Sequence, residues 1–267
     1  MYSENAILSN DNVIPRLGFG TYLIPEADTS DAVLSALKIG YRHIDTAQAY
    51  ENEHGVGEGI RASGIPREQI FVTSKVKAEY KSYDEAVRSI DASLAVSDLG
   101  WFDLMLIHCP QPWAEYGAEY RYYEENRAVW KALEEAYQAG KVRAIGISNF
   151  GISDIDSLLV TAKIKPMVNQ FACFAGYTDL DLIDKCNSLG IIPEAYSPLG
   201  HGDVFANKAL ADMAAKYNVT VSQLCIRYTL QLGMISIPKT VHPDRMKENT
   251  LVDFEIYEKD MEFLKRI

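Results

Sequence analysis

The chain has 267 residues, 48% of them hydrophobic and 24% charged, enough to bury a large core without disulfide or metal staples. A formal net charge of −11 argues against a nucleic-acid partner or an anionic membrane surface. The opening MYSENAILSNDN lacks a basic n-region and an apolar h-region, and no apolar run approaches the ~20 residues of a membrane span, so a cytoplasmic protein without membrane contact is expected.

Asn5 to Leu8 and Val13-Ile14 flank the turn-rich Ser9-Asn10-Asp11-Asn12 and read as a hairpin. Arg16 to Tyr22, RLGFGTY, is a strand running into glycines; its G-x-G lacks the third glycine and the following helix of a dinucleotide fingerprint. From Asp31 the period is helical, with Val33, Leu34 and Leu37 on one face and Gly40 closing it. A strand at His43-Ile44 leads to Asp45, and Tyr50 follows a turn later. Gly55 to Ala62 reads as a helix despite three glycines, and Ile70 to Lys75 as a strand ending on lysine. Ser82 and Glu85 open a helix with Val87, Ile90 and Leu94 on one face. Phe102 to His108 is a strand ending on histidine.

Pro110 to Glu125 is a long loop carrying Trp113, Tyr116, Tyr120, Tyr122 and Tyr123, and such loops on rigid scaffolds usually serve function. A helix with Val129, Leu133 and Ala136 stops at Gly140, and Val142 to Ile147 is the next strand. Ser153 and Asp156 are placed as caps of the helix after it. Met167 to Asn169 is a strand, Leu182, Cys186 and Leu189 mark a helix closed by Gly190, and Ile191 to Tyr196 is a strand. Two helices follow, one presenting Leu210, Met213, Ala214 and Tyr217, the other opened by the Thr220/Gln223 box. Met234 to Ile237 is the last strand, and Pro243 suits the first turn of a further helix.

Short strands alternating with helices over about 250 residues, with no linker or repeat, predict one (β/α)8 (TIM) barrel domain spanning residues 1–267, with the N-terminal hairpin at its bottom. A doubly wound sheet is the alternative, weakened by the missing fingerprint. Cys109, Cys173, Cys186 and Cys225 lie far apart without a C-x-x-C pair and are expected to be reduced, buried thiols. Strands stopping on Asp45, Lys75 and His108 converge at the C-terminal rim, where barrels of this kind hold their active sites.

With Tyr50, those three form a set suited to acid–base work. Tyrosine, with a reference pKa of ~10, is a workable proton donor to a developing alkoxide. A lysine ammonium at ~4 Å in an effective dielectric of ~20 favours the phenolate by ~4 kcal/mol, up to roughly three pKa units before desolvation offsets part of it. Asp45 would hold Lys75 charged, and a neutral His108 would orient a carbonyl oxygen. On residues alone, four structural strand ends remain the alternative reading. A metal at His43-x-Asp45 finds no matching ligands on later strands, and Ser148 and Ser197 lack a nucleophile elbow, so no metal is expected.

YRHIDTAQAYENEHGVGEGIRASGIPREQIFVTSKV, followed in order by DLMLIHCP, GKVRAIGISNF, AYSPLG and IPKT, resembles the aldo-keto reductases over most of the chain, in their short microbial form. The resemblance implies a catalytic tetrad of Asp45, Tyr50, Lys75 and His108, with Tyr50 as general acid in carbonyl reduction and Lys75 lowering its pKa. It implies NADPH, held without a Rossmann domain. Ser148, Asn149 and Gln170 match the carboxamide positions, Tyr196 the ring stacked on the nicotinamide, and Ser197 and Leu199 the pyrophosphate contacts. Lys239, Thr240, Arg245 and Asn249 match the adenosine 2′-phosphate and adenine positions, and Gly20 and Thr21 also fall on the cofactor side.

The departures touch pocket walls. His108-Cys109-Pro110 stands for the common H-W-P, Gly20-Thr21-Tyr22 for G-T-W, and Phe171 to Tyr177 replaces the usual residues after Asn169-Gln170. The stretches after AYSPLG and after Lys239 are short, so an open mouth and a broad range of small carbonyl substrates are expected, with Tyr22, Trp113 and the loop tyrosines as walls. The resemblance also implies a monomer. The alternative function is an NADPH-binding redox sensor or partner-docking barrel with little turnover.

Overall fold

A computed structural model describes residues 2–267. The hairpin forms as β1 (Asn5–Ile7) and β2 (Val13–Pro15), paired antiparallel with Ala6 opposite Ile14. The barrel strands are β3 (Phe19–Gly20), β4 (His43–Asp45), β5 (Phe71–Val76) and β6 (Leu104–Ile107), then β7 (Ile145–Ser148), β8 (Val168–Ala172), β9 (Ile192–Tyr196) and β10 (Ile235–Ile237). All run parallel in sequence order, and a Leu17–Ser236 bridge with the bond from Gly20 N–H to the Pro238 carbonyl (3.1 Å) closes β3 against β10. The eight parallel strands of the (β/α)8 barrel are those the sequence pattern predicts.

The hairpin plugs the N-terminal end. Ala6, Leu8 and Ile14 pack with Phe71, Leu104, Leu106, Val168 and Ile235 in one buried cluster, and Asn10 and Asn12 donate to the Arg143 carbonyl ahead of β7 (2.9 and 2.8 Å). Burying one such aliphatic side chain contributes about 1.5–3 kcal/mol. With the hairpin covering the bottom, the large cleft lies at the rim where the strands end.

The helices are α1 (Glu26–Ile39), α2 (Glu53–Ala62), α3 (Tyr83–Ser97), α4 (Tyr123–Gln138), α5 (Ile152–Leu159), α6 (Leu180–Leu189), α7 (Lys208–Lys216), α8 (Val221–Gln231), α9 (Pro243–Asn249) and α10 (Glu258–Leu264). Local signals set several ends: Ser82 caps α3, and Thr220 and Gln223 close a reciprocal box on α8. Two expectations are corrected. α1 begins at Glu26 rather than Asp31, because Pro25 suits a helix entry and Thr29 Oγ1 donates back to the Pro25 carbonyl (2.9 Å). Ser153 and Asp156 do not cap α5; both lie inside it, and the Asp154 carboxylate instead takes the Gly151 N–H (3.1 Å). All four cysteines are free and buried. No helix among the described residues is long and apolar enough to cross a membrane.

The glycines of α2 have a packing reason. A Cβ on Gly57 would stand 1.9 Å from the Ser97 carbonyl oxygen, and one on Gly59 2.6 Å from that of Ser30. The helix is squeezed between α1 and α3, and backbone cannot yield as a side chain does. Gly57→Ala is expected to cost about 3 kcal/mol or more and to lower Tm by several degrees in thermal denaturation followed by circular dichroism. Glu58→Ala, on the exposed face, should stay within about 0.5 kcal/mol of the parent.

Candidate active site

The rim residues meet. Lys75, fully buried near the end of β5, uses all three ammonium protons: on Asp45 Oδ1 (2.6 Å), on the Thr46 carbonyl (2.9 Å) and on the Tyr50 hydroxyl (3.3 Å). Asp45 ends β4, and its second oxygen takes a hydrogen bond from Gln170 Nε2 on β8 (2.8 Å). Tyr50 ends a 3-10 turn, Gln48–Tyr50, directly after β4. Its oxygen accepts from Lys75, which leaves its own proton free to donate. The His108 ring stands edge-on to that of Tyr50, centroids 5.6 Å apart, and its Nδ1 is buried without a partner.

The pull of the Lys75 ammonium on the Tyr50 phenol is present, but burial opposes it more strongly than expected. Burial raises the Tyr50 pKa to about 12, outweighing the downward pull of Lys75, while Asp45 adds to the rise. The ammonium's field is partly cancelled by the carboxylate that holds it, so removal from water decides the sign. Burial also pulls on Lys75, but Asp45 first and Tyr50 next overcome it, and its pKa is raised. Burial, then Lys75, holds His108 well below the ordinary imidazole range, so the ring is neutral.

Tyr50 and His108 open into a cleft of about 1090 Å³, while Lys75 lies buried behind them and does not line it. Asp45, Tyr50, His108, Gly20, Tyr22, Trp113, Ser148, Asn149 and Gln170 line it, and so do Tyr196, Ser197, Leu199, Lys239, Thr240, Arg245 and Asn249. Asn149 Nδ2 donates to the His108 carbonyl (2.9 Å), and Asn149 Oδ1 accepts from the Tyr196 hydroxyl (2.8 Å), so three loops lock together above the rim. Asn149 takes a left-handed backbone (φ 61°), which asparagine tolerates. Lys239 and Arg245 are exposed and engage in no ion pair among the described residues.

Two groups of predicted residues lie elsewhere. Thr21 does not line the cleft; it is fully buried, with its hydroxyl on the Asp45 carbonyl (3.0 Å), so it braces β4 instead. Of the loop aromatics only Trp113 lines the cleft. Tyr116 packs against the Trp113 ring, and the hydroxyls of Tyr120 and Tyr122 bond to Glu125 and Glu115 (2.7 Å each).

Glu194 of β9 was missed by the sequence reading. It is fully buried, neither carboxylate oxygen has a well-formed hydrogen bond, and its register neighbour Gln170 approaches closely enough to stabilise the carboxylate only in part. Burial first, then the charge of Asp45, raises its pKa to about 8. His43, 3.9 Å away, gives no ion pair: burial lowers its pKa to about 4, its Nδ1 proton goes to the Pro15 carbonyl (3.3 Å), and Nε2 meets Thr73 Oγ1 (3.1 Å). One signal was available, a lone acid in the apolar run Ile191-Ile192-Pro193-Glu194-Ala195.

Because the folded-state pKa of Glu194 lies above its unfolded value of 4.5, the native state binds the extra proton between the two. Its contribution is full below the unfolded pKa and is lost as pH rises through about 8, with a slope of up to about 1.4 kcal/mol per pH unit. Urea denaturation from pH 5 to pH 9 should show a flatter stability curve for Glu194→Gln than for the parent.

The chain is similar to known proteins along nearly its whole length. The model of the aldo/keto reductase family matches residues 16–267. Glyoxal reductase of Bacillus subtilis is 39% identical over 257 residues, covering 96% of this chain and 89% of that one. Glycerol 2-dehydrogenase (NADP(+)) of Saccharomyces cerevisiae is 37% identical over 278 residues, covering 95% and 87%. A crystal structure of a Bombyx mori aldo-keto reductase in complex with NADP superposes with a TM-score of 0.88 at 30% identity, covering 99% of this chain and 92% of that one. Fold, rim geometry and sequence agree: the chain belongs to the aldo/keto reductase family of oxidoreductases.

Proposed function

We propose that this protein reduces small aldehydes, ketones or dicarbonyls to alcohols with NADPH, Tyr50 acting as general acid. The observation that carries the reading is the Lys75 ammonium anchored by Asp45 with the Tyr50 hydroxyl 3.3 Å from it, beside His108 at the cleft. The names of the glyoxal-reducing and NADP-linked relatives support the same chemistry.

The donor set suits the cofactor. A hydroxyl and two amides (Ser148, Asn149, Gln170) fit a carboxamide, and Tyr196 offers an aromatic face. Gly20, Ser197 and Leu199 line the same cleft, with Thr240 and Asn249 beside the cations. Lys239 and Arg245 leave two uncompensated cations there, in a protein of net charge −11, which suits an additional phosphate. NADPH, when bound, supplies the hydride. His108, neutral, hydrogen-bonds the substrate oxygen and orients it. Tyr50 hands its proton to that oxygen as negative charge develops there, and the Lys75 ammonium stabilises the phenolate left behind. Tyr22 and Trp113 flank the pair, Tyr22 with its ring 5.1 Å from that of Tyr50. A phenol with a pKa near 12 stays protonated at neutral pH, the state in which it can donate to the substrate oxygen.

Tyr50→Phe is expected to lower kcat by about 10²–10⁴-fold while NADPH titration by fluorescence stays near that of the parent; near-normal turnover would refute the assignment. Tight NADPH binding by the parent with no turnover on a carbonyl panel would instead support a sensor or docking barrel. Replacing both Lys239 and Arg245 by Ala should weaken NADPH roughly 10–100-fold and leave NADH within a few-fold, read by parallel KM measurements. In the alcohol-oxidising direction the rate should climb from pH 7 to pH 10, by up to about tenfold per unit, because the phenolate fraction grows with pH below its pKa.

A further inference from the structure

The loop that carries Trp113 is lightly held: beyond Tyr116 against Trp113, the Tyr122 hydroxyl on Glu115 (2.7 Å) and Trp113 N–H toward Glu79 (3.5 Å), few side chains bind it. Residues 113–120 are exposed throughout, and their internal backbone bonds are single turns: Glu115 N–H to Pro112 (2.9 Å), Tyr116 N–H to Trp113 (3.4 Å) and Ala118 N–H to Glu115 (2.9 Å). A segment so sparsely held would ordinarily sample many conformations. Here one fully buried side chain meets it from below. Gln111 Nε2 donates to the carbonyls of Ala118 (2.9 Å) and Tyr120 (2.7 Å), and Gln111 Oε1 accepts from Gly117 N–H (3.0 Å). Arg121 Nη1 approaches the same oxygen at 3.5 Å, so both donors and both acceptor sites of the amide are used.

The anchor is itself anchored. Arg121 donates to both oxygens of Asp154 (2.5 and 3.3 Å), and that buried carboxylate is the one holding Gly151 N–H at the start of α5. A polar chain thus runs from a barrel helix through Arg121 and Gln111 to the loop backbone. At the cleft side the Trp113 ring stands edge-on to His108, centroids 5.3 Å apart at 88°, with Tyr116 behind it. Gln111 is not a cleft-lining residue.

We propose that Gln111 is a positioning residue that holds Trp113 as a fixed wall beside His108, and so sets the affinity for the carbonyl substrate without touching it. The inference rests on the proposed carbonyl-reductase reading. The two can fail separately, because the state of the wall is measurable without turnover. Ser148, Asn149, Gln170, Lys239 and Arg245 make no direct contact with this amide, so NADPH affinity is expected to change little when it is removed. Removing it frees three part-buried backbone groups of otherwise exposed residues, which water reaches once the loop loosens, so the loss falls on order rather than on global folding.

The test compares the parent with Gln111→Ala and Gln111→Glu, the latter keeping the acceptor for Gly117 and Arg121 but losing both donors. Gln111→Ala should raise KM for a small aldehyde roughly tenfold or more, with kcat within about threefold and NADPH affinity unchanged; Gln111→Glu should fall between. Acrylamide quenching of tryptophan fluorescence should rise in Gln111→Ala relative to the parent, and the rise should vanish when both carry Trp113→Phe. Trp130 is buried and Trp101 lies between Arg67 and Arg143, so neither would produce it. An unchanged KM, a fall in kcat alone, or a KM rise without the Trp113-dependent quenching change would overturn the proposal. Should the parent show no turnover at all, the functional reading fails, and quenching alone decides whether Gln111 holds the wall.

Discussion

A lysine ammonium with no exposed surface cannot persist in a barrel core unless every proton it carries finds an acceptor. Lys75 meets that condition with a carboxylate, a carbonyl and a phenol oxygen. Much of the surrounding architecture follows from it. β4 must end where Asp45 can face β5, the chain must turn at once to bring the Thr46 carbonyl and Tyr50 over the ammonium, and the bottom must be sealed so that water does not compete. The hairpin supplies the seal. Thr21 and Gln170 hold the carboxylate residue from both sides, one at its backbone and one at its free oxygen. Removing one partner from such a set would leave a buried charge uncompensated, at a cost of about 3–5 kcal/mol.

The layer beneath explains how the set stays near electrical balance. Glu194 sits among His43, Asp45, Lys75 and Gln170 with no well-formed hydrogen bond on either oxygen, only a weak approach from Gln170, and His43 spends its ring nitrogens on Pro15 and Thr73. A second carboxylate there, if ionised, would compete for the one ammonium. Burial and the Asp45 charge keep it protonated near neutral pH. The rim then carries one cation, one anion and a phenol that keeps its proton near neutral pH.

Around this rigid centre the cleft is built from elements of unequal firmness. Asn149 ties the loop after β7 to the His108 backbone and to Tyr196, so the floor is cross-linked by hydrogen bonds. The aromatic wall is exposed and depends on a buried amide reaching up from Gln111. In the proposed reaction, a preorganised floor would orient the reacting oxygen, and an ordered wall would select which molecules fit.

The pattern of residues was sufficient, by itself, for what depends on neighbours in sequence. Apolar strands stopping on Asp45, Lys75 and His108, helix boxes at Ser82 and Thr220, and a turn between two short strands are local or periodic signals, and the barrel with its bottom hairpin follows from them. Motif strings then named the family. Tertiary structure alone decided what depends on collective packing and solvent exclusion. Three glycines in α2 make sense only against the backbones of α1 and α3; Thr21 turns away from the cleft because Asp45 needs a brace; α1 starts early because Pro25 and Thr29 cooperate in space. The direction of the Tyr50 shift belongs to the same class. Spacing can bring an ammonium to a phenol, but how much water is lost around both is a sum over the whole barrel, and that sum outweighs the pair.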